Sequence, residues 1–308
     1  MKPALRTVDG LLLVDKPAGV SSNAVLQRVK RLFRARKAGH GGTLDPLASG
    51  LLPVLFGDAT KFAERVLGSR KTYCATLQLG ETTSTGDAEG EITQRRPVAV
   101  ERARVDEILQ RFTGAIQQMP PMYSALKHKG QPLYTLARKG LSVVREPREV
   151  TIYGLKCLEF APPRLLLRVD CSKGTYVRVL GEDIGEVLGT GAHLAGLRRE
   201  SVGTLSVADA LSPSALEEMS EQDRDAVVLP LERLLEDAPR VALDSSQAGD
   251  FRNGKALRVK GLAAGQCAVF GPGARFLGIG EVTIAEELRP RRLLAQRPSD
   301  GAQAAEIS

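Results

Sequence analysis

From 73 to 79 the side chains alternate, with Tyr73, Ala75, Leu77 and Leu79 on one side and Cys74, Thr76 and Gln78 on the other. A period of two is the mark of a half-buried strand. A second strand is predicted from 165 to 171. It turns at Ser172-Lys173-Gly174 into a helix that gathers Val177, Leu180, Ile184, Val187 and Leu188 on one face. Near the start, Leu11-Leu12-Leu13-Val14 predicts a strand that ends in the turn Lys16-Pro17-Ala18-Gly19. Any of Ser21, Ser22 or Asn23 could then cap a helix whose Val25, Val29, Leu32 and Phe33 recur at helical spacing. The cations of that helix, Arg28, Lys30, Arg31, Arg34 and Arg36, fall mostly on its remaining surface, which by itself predicts a solvated face. A further helix is predicted from 105 to 112, and a glycine-rich loop from 39 to 50.

Two charge reversals then divide the chain. From 119 to 149 there are four prolines, two tyrosines and six Lys or Arg against two acids, which reads as a basic excursion from a sheet, helical around 133 to 139. From 217 to 237 eight acids face two arginines, and Ala238-Pro239 opens a stretch of glycines and short β-like runs. A domain boundary is therefore expected near 239, with a polar tail from about 296. Periodicity alone reaches α+β as the fold class.

Composition narrows the function classes. Hydrophobic residues at 43% and charged residues at 26% are ordinary for a chain that folds in water, and a net charge of +7 favours an anionic partner without identifying one. Cys74, Cys157, Cys171 and Cys267 are widely spaced, and His40, His128 and His193 form no metal-binding pair, so no metal or disulfide framework is expected. The first apolar run is too short to span a membrane, and a cytoplasmic address is expected.

One string concentrates chemistry: Gly39-His40-Gly41-Gly42-Thr43-Leu44-Asp45-Pro46-Leu47-Ala48-Ser49-Gly50. Local rules alone would make Asp45 a helix N-cap and Pro46 the first helical residue. The loop lacks the Gly-Lys-Ser/Thr ending of a P-loop, so nucleotide hydrolysis is not indicated.

This string closely resembles the active-site motif of the tRNA pseudouridine-55 synthases. That family's other motifs follow in the same order: GLLLVDKPAGVSSN from Gly10, MYSALK from Met122 and CSKGTYVR from Cys171. The resemblance covers about 9 to 205. Beyond 240 a weaker similarity links the chain to the small RNA-binding β-barrel called PUA. It implies a pseudouridine-synthase catalytic domain over 1–239, with a mixed, largely antiparallel central sheet and an RNA-clamping thumb at about 121–149. A PUA-like domain over 240–296 and a tail over 297–308 would follow.

The implied reaction is cofactor-free isomerisation of uridine 55 in the T arm of tRNA, on a base flipped out of its stack. By the resemblance Asp45 is the nucleophile, Arg178 pairs with it and holds it charged, and Tyr73 stacks on the base and is a candidate to remove the C5 proton. Tyr176 and Leu197 line the uracil pocket, His40 helps hold the RNA loop, and Lys16 and Asp87 support or contact the substrate. Lys127, Lys129, Arg138, Lys139, Arg145 and Arg148 grip the RNA backbone. The sequence departs from the family pattern at Gly41, where Thr is usual, at Ser84, where Asp is frequent, and at Gly196, where a larger residue is common. The uninterrupted insertion and short termini lead to the expectation of a stand-alone monomer that needs no guide RNA. An RNA-folding chaperone with secondary or no catalysis is the alternative.

Overall fold

The computed structural model describes residues 4–294 except 125, 129 and 138, and leaves undescribed the side chains of 127, 128, 132 and 134. The larger, N-terminal part is built on a mixed sheet. The chain opens with β1 (Gly10–Lys16), α1 (Ser22–Leu32), β2 (Ala38–His40) and β3 (Ser49–Phe56), then α2 (Ala63–Gly68) and β4 (Lys71–Leu79). Ser21 is the residue that caps α1, its hydroxyl accepting from the Ala24 amide at 3.2 Å. The predicted alternation of β4 appears as a strict buried and half-buried series.

A hairpin follows, β5 (Glu81–Thr83) with β6 (Ile92–Arg95), then α3 (Arg102–Arg111) and β7 (Gly114–Gln118). The basic excursion holds a two-stranded hairpin, β8 (Lys127–His128) with β9 (Gln131–Pro132), and α4 (Leu133–Ala137). The chain returns through β10 (Arg148–Ala161), β11 (Arg164–Cys171), α5 (Val177–Val187), β12 (Ala192–Val202) and the short β13 (Leu205–Ser206). The main path of the sheet runs β1-β3-β12-β4-β11-β10-β7, antiparallel except where β12 meets β3. One face of β4, β11 and β12 packs on α3 and α5 through Ala75, Leu77, Val105, Leu109, Leu167, Leu180 and Ile184.

The strands β1 and β3 are covered on both faces. Leu11, Leu13, Leu51 and Leu55 face one cluster, and Leu12, Val14, Leu52 and Val54 pack with α1 on the other side. Such two-sided burial explains why β3 reads as an uninterrupted apolar run rather than an alternation.

Two short acidic helices, α6 (Pro213–Glu218) and α7 (Glu221–Ala226), then lie against α1. Arg28 pairs with Glu217 at 2.5 Å and Arg34 with Glu221 at 2.6 Å, while Arg6 binds both Glu221 and Asp225. One cation of α1, Arg28, and two beside the helix, Arg6 and Arg34, are therefore answered by acids some two hundred residues away rather than simply solvated.

The C-terminal part holds β14 (Arg240–Ala242), α8 (Ser245–Arg252), β15 (Leu257–Arg258), β16 (Gly265–Gly271), β17 (Arg275–Val282) and β18 (Glu287–Leu293). These strands form one ladder, β14-β16-β17-β18-β15, whose two ends are not paired with each other among the described residues. The sheet docks on the N-terminal part through a shared apolar cluster in which the Phe62 and Phe276 rings lie 6.2 Å apart. No described helix is long and apolar enough to cross a membrane.

Candidate active site

The segment between β2 and β3 contains no helix. Asp45 sits at a tight turn closed by the Ala48 amide donating to the Asp45 carbonyl at 3.1 Å, so the helix N-cap reading does not hold. The backbone on both sides of this residue is clamped. Ser22, the first residue of α1 and 2% exposed, donates to the Leu44 carbonyl at 2.9 Å and accepts from the Leu44 amide at 2.8 Å. The Gly19 amide donates to the Pro46 carbonyl at 2.7 Å. Lys16 reaches the carbonyls of Val20 at 2.6 Å, Pro17 at 2.9 Å and Pro46 at 3.5 Å. Gly50 lets β3 pass close to β12, because at its φ of +100° a Cβ would lie 2.3 Å from the Arg199 carbonyl oxygen.

Arg178, in the first turn of α5, organises the centre. One guanidinium nitrogen donates to the Asp45 carboxylate at 3.2 Å and to the Tyr123 carbonyl at 2.9 Å. The other pairs with Asp87 at 3.0 Å and donates to the Thr85 carbonyl at 3.0 Å. Arg178 is enclosed, whereas the Asp45 side chain is 51% exposed. The desolvating walls around Asp45 push its carboxyl above the ordinary range, Arg178 pulls it down, Asp87 pushes it up and Lys16 pulls it down. The net upward direction differs from the lowering that an Arg neighbour alone implies, because the cleft removes more water than the ion pair replaces. The half-open carboxyl still meets solvent, so this upward push is weaker than full enclosure would give.

The remaining sequence candidates divide by position. Tyr73 on β4 is buried and Tyr176, just before α5, is half-buried; burial raises both phenols. Leu197 on β12 is half-buried at the edge of the core containing Leu44 and Tyr73. His40 ends β2 with its buried Nδ1 unpartnered, and burial, then Arg199, lowers its pKa. Lys16 and Asp87 are fully enclosed and present no open surface to a substrate. Burial pushes the Lys16 amine down to about 8, and Asp87 takes a hydroxyl bond from Thr85 at 2.5 Å.

In the basic excursion, Arg145 donates to the Pro120 carbonyl at 2.9 Å, while Lys139 and Arg148 are exposed. Lys129, Arg138 and the side chain of Lys127 lie outside the described residues.

Three participants were not singled out as site residues in the sequence. Gln118, 2% exposed at the end of β7, grips the backbone of Tyr176, accepting from its amide at 3.0 Å and donating to its carbonyl at 3.2 Å. Ser22 and Arg199 are the other two. Of the departures, Gly41 has a steric account, since a Cβ there would meet Val66 Cγ1 at 2.3 Å, so Val66 fills the space of a side chain. At Gly196 a Cβ would lie 3.7 Å from Thr76, so space does not require glycine.

An open carboxylate fixed by an enclosed guanidinium, with two phenols nearby, suits nucleophilic attack on an electron-poor ring or sugar carbon. Among the described residues no group of three or more His, Cys, Asp or Glu is arranged to hold a metal ion. A cavity of about 660 Å³ lies elsewhere, between α2 and β18, and contains none of these groups.

Comparison with known proteins agrees over most of the chain. Residues 30–177 match the TruB family pseudouridylate synthase N-terminal domain, 178–236 the tRNA pseudouridylate synthase B C-terminal domain, and 239–294 the Pseudouridine synthase II TruB C-terminal model. The tRNA pseudouridine synthase B of Dechloromonas aromatica is 50% identical over 293 residues, covering 95% of this chain and 98% of that protein. That of Methylobacillus flagellatus is 48% identical, covering 96% and 98%. Among solved structures, an H/ACA RNP bound to a substrate RNA containing 2′-deoxyuridine superposes with a TM-score of 0.73 at 24% identity, covering 94% of this chain and 86% of the other. A Cbf5-Nop10-Gar1 complex gives 0.72 at 25%, covering 94% and 84%.

Proposed function

The chain belongs to the TruB family of pseudouridylate synthases, and from that premise we propose that it isomerises uridine 55 in the T arm of tRNA with Asp45 as nucleophile. It is a pseudouridine synthase, an isomerase whose family acts on tRNA. The observation that carries the finer reading is the 3.2 Å pair between enclosed Arg178 and the half-open Asp45 carboxylate. Asp45 attacks the flipped nucleotide, the bond from N1 to C1′ breaks with its electron pair on N1, C5 then bonds to C1′, and the bond to Asp45 breaks with its electron pair on oxygen, returning the free carboxylate. Loss of the C5 proton restores the ring and N1 takes up a proton, so the sum is proton-neutral.

Arg178 and Lys16 supply the positive field that opposes the upward push of the cleft and keeps Asp45 ionised. Tyr73 stacks on the base and Tyr176 and Leu197 wall it; such stacking is worth about 1–3 kcal/mol, comparable with part of the cost of flipping. His40 holds the RNA loop, and Lys16 and Asp87 act from behind the surface. The thumb cations Lys127, Lys129, Arg138, Lys139, Arg145 and Arg148 grip phosphates, and the C-terminal sheet, read as PUA-like, meets the acceptor end. A chaperone without catalysis would have the same basic surfaces but no use for a carboxylate held open by a buried arginine.

The test is pseudouridine mapping on a tRNA transcript with purified monomeric protein, no guide RNA and no added cofactor. Conversion at uridine 55 is expected. Absence of product, or product elsewhere in the tRNA, would remove the site assignment.

A further inference from the structure

Arg199 is 1% exposed, yet among the described residues no carboxylate forms an ion pair with it. Its recorded acceptors are two neutral carbonyls, Leu51 at 2.7 Å from Nε and Gly42 at 3.1 Å from a terminal nitrogen. A buried charge is normally paired, as Arg178 is by Asp45 and Asp87. In the antiparallel β12–β4 pair, Arg199 sits directly opposite Tyr73, so both side chains leave the sheet on one face. That cross-strand register places the two side chains as neighbours, and the guanidinium favours charge on the phenol. The other ionisable groups facing Tyr73 are Cys171 of β11 and Asp45 of the loop, and each disfavours negative charge on the phenol, as does burial. Arg199 alone among them favours it.

We propose that Arg199 is a positioning residue that holds the Tyr73 phenol in place and stabilises negative charge on its oxygen while that oxygen takes the C5 proton. The inference rests on the reading above, in which a flipped uracil meets Tyr73. In that step the C5–H bond breaks, its electron pair restores the C5–C6 double bond, and the proton moves to the Tyr73 oxygen. The phenol has first released its own proton to solvent, and N1 gains one from solvent, so charge and atoms balance. Arg199 also tethers the Gly42 carbonyl, which ties the same guanidinium to the loop that carries Asp45.

The experiment compares Arg199→Gln and Arg199→Lys in the full chain, each with tyrosine or the more acidic 3-fluorotyrosine at position 73, by single-turnover conversion of a tRNA transcript. Arg199→Gln is expected to slow conversion about 100-fold, the lower range for a general base, with tRNA affinity changed less than about two-fold. The fluorinated phenol is expected to recover about ten-fold in that background and little in the parent protein. An unchanged rate, or a slow rate that fluorination leaves untouched, would overturn the proposal and leave Arg199 a loop tether. If Arg199→Gln does not fold, Arg199→Lys decides by the same comparison: fluorination must help it more than the parent. Asp45→Asn, run alongside, separates the two ideas, since activity there removes the nucleophile while a flat fluorination response removes only the role of Arg199.

Discussion

Helix α1 and the thumb are both rich in Arg and Lys, yet they differ in what answers the charge. On α1, Arg28 meets Glu217 through two bonds of 2.6 and 2.5 Å, and just beyond its end Arg34 meets Glu221. In the thumb, Lys139 and Arg148 form no ion pair among the described residues, and Arg145 bonds a neutral carbonyl. The lesson is that a cation count overstates an RNA-binding surface. The part of the +7 charge available to phosphate is the part that no carboxylate has already closed.

The sharpest way to break this comparison is to discharge the thumb. Replacing Lys139, Arg145 and Arg148 together by Ala is expected to weaken tRNA binding about 10–100-fold and to lower the salt slope by about one per lost contact. Titrations at several salt concentrations check this, and an unchanged slope would place the grip elsewhere. Opening the other surface is the converse and should have a smaller effect. Glu217→Ala with Glu221→Ala releases the arginines of α1, and the expected result is a modest gain in affinity with a steeper salt slope.

Inside the cleft the same logic applies to an acid. Burial pushes Glu182 up to about 7, with Arg178 opposing and Asp183 and Asp87 reinforcing the shift. Its folded pKa exceeds its unfolded one, so its contribution to stability is complete at low pH and lost as pH rises through about 7. Glu182→Gln should therefore flatten the fall in Tm between about pH 5 and about pH 8, which thermal melts at the two pH values measure. The smallest effect belongs to Arg28→Ala, expected to leave stability nearly unchanged because its ion pair is exposed. Denaturant unfolding and a tRNA titration check it, and a marked loss of affinity would show that α1 does bind RNA.

The sequence made legible what local spacing controls. The alternation of β4, a cap for α1 among Ser21, Ser22 and Asn23 and the strand-turn-helix unit ending in α5 all follow from neighbours a few residues apart. Resemblance supplied the residues that meet around Asp45, because their order along the chain is a family pattern rather than a periodicity. Long-range partners stayed hidden. Nothing near Gln118 signals that it clasps Tyr176, and nothing near Arg28 signals Glu217. The strand β3 was masked for another reason, since burial on both faces erases the alternation by which strands are recognised. The unpaired state of Arg199 is visible only once β12 is laid beside β4.

The central claim is that the carboxylate of Asp45, held by Arg178, performs the attack. The direct measurement is conversion of uridine to pseudouridine in a tRNA transcript by Asp45→Asn, which keeps the shape of the side chain and removes its charge. The account predicts no product while tRNA is still bound, and conversion near the wild-type rate would contradict it.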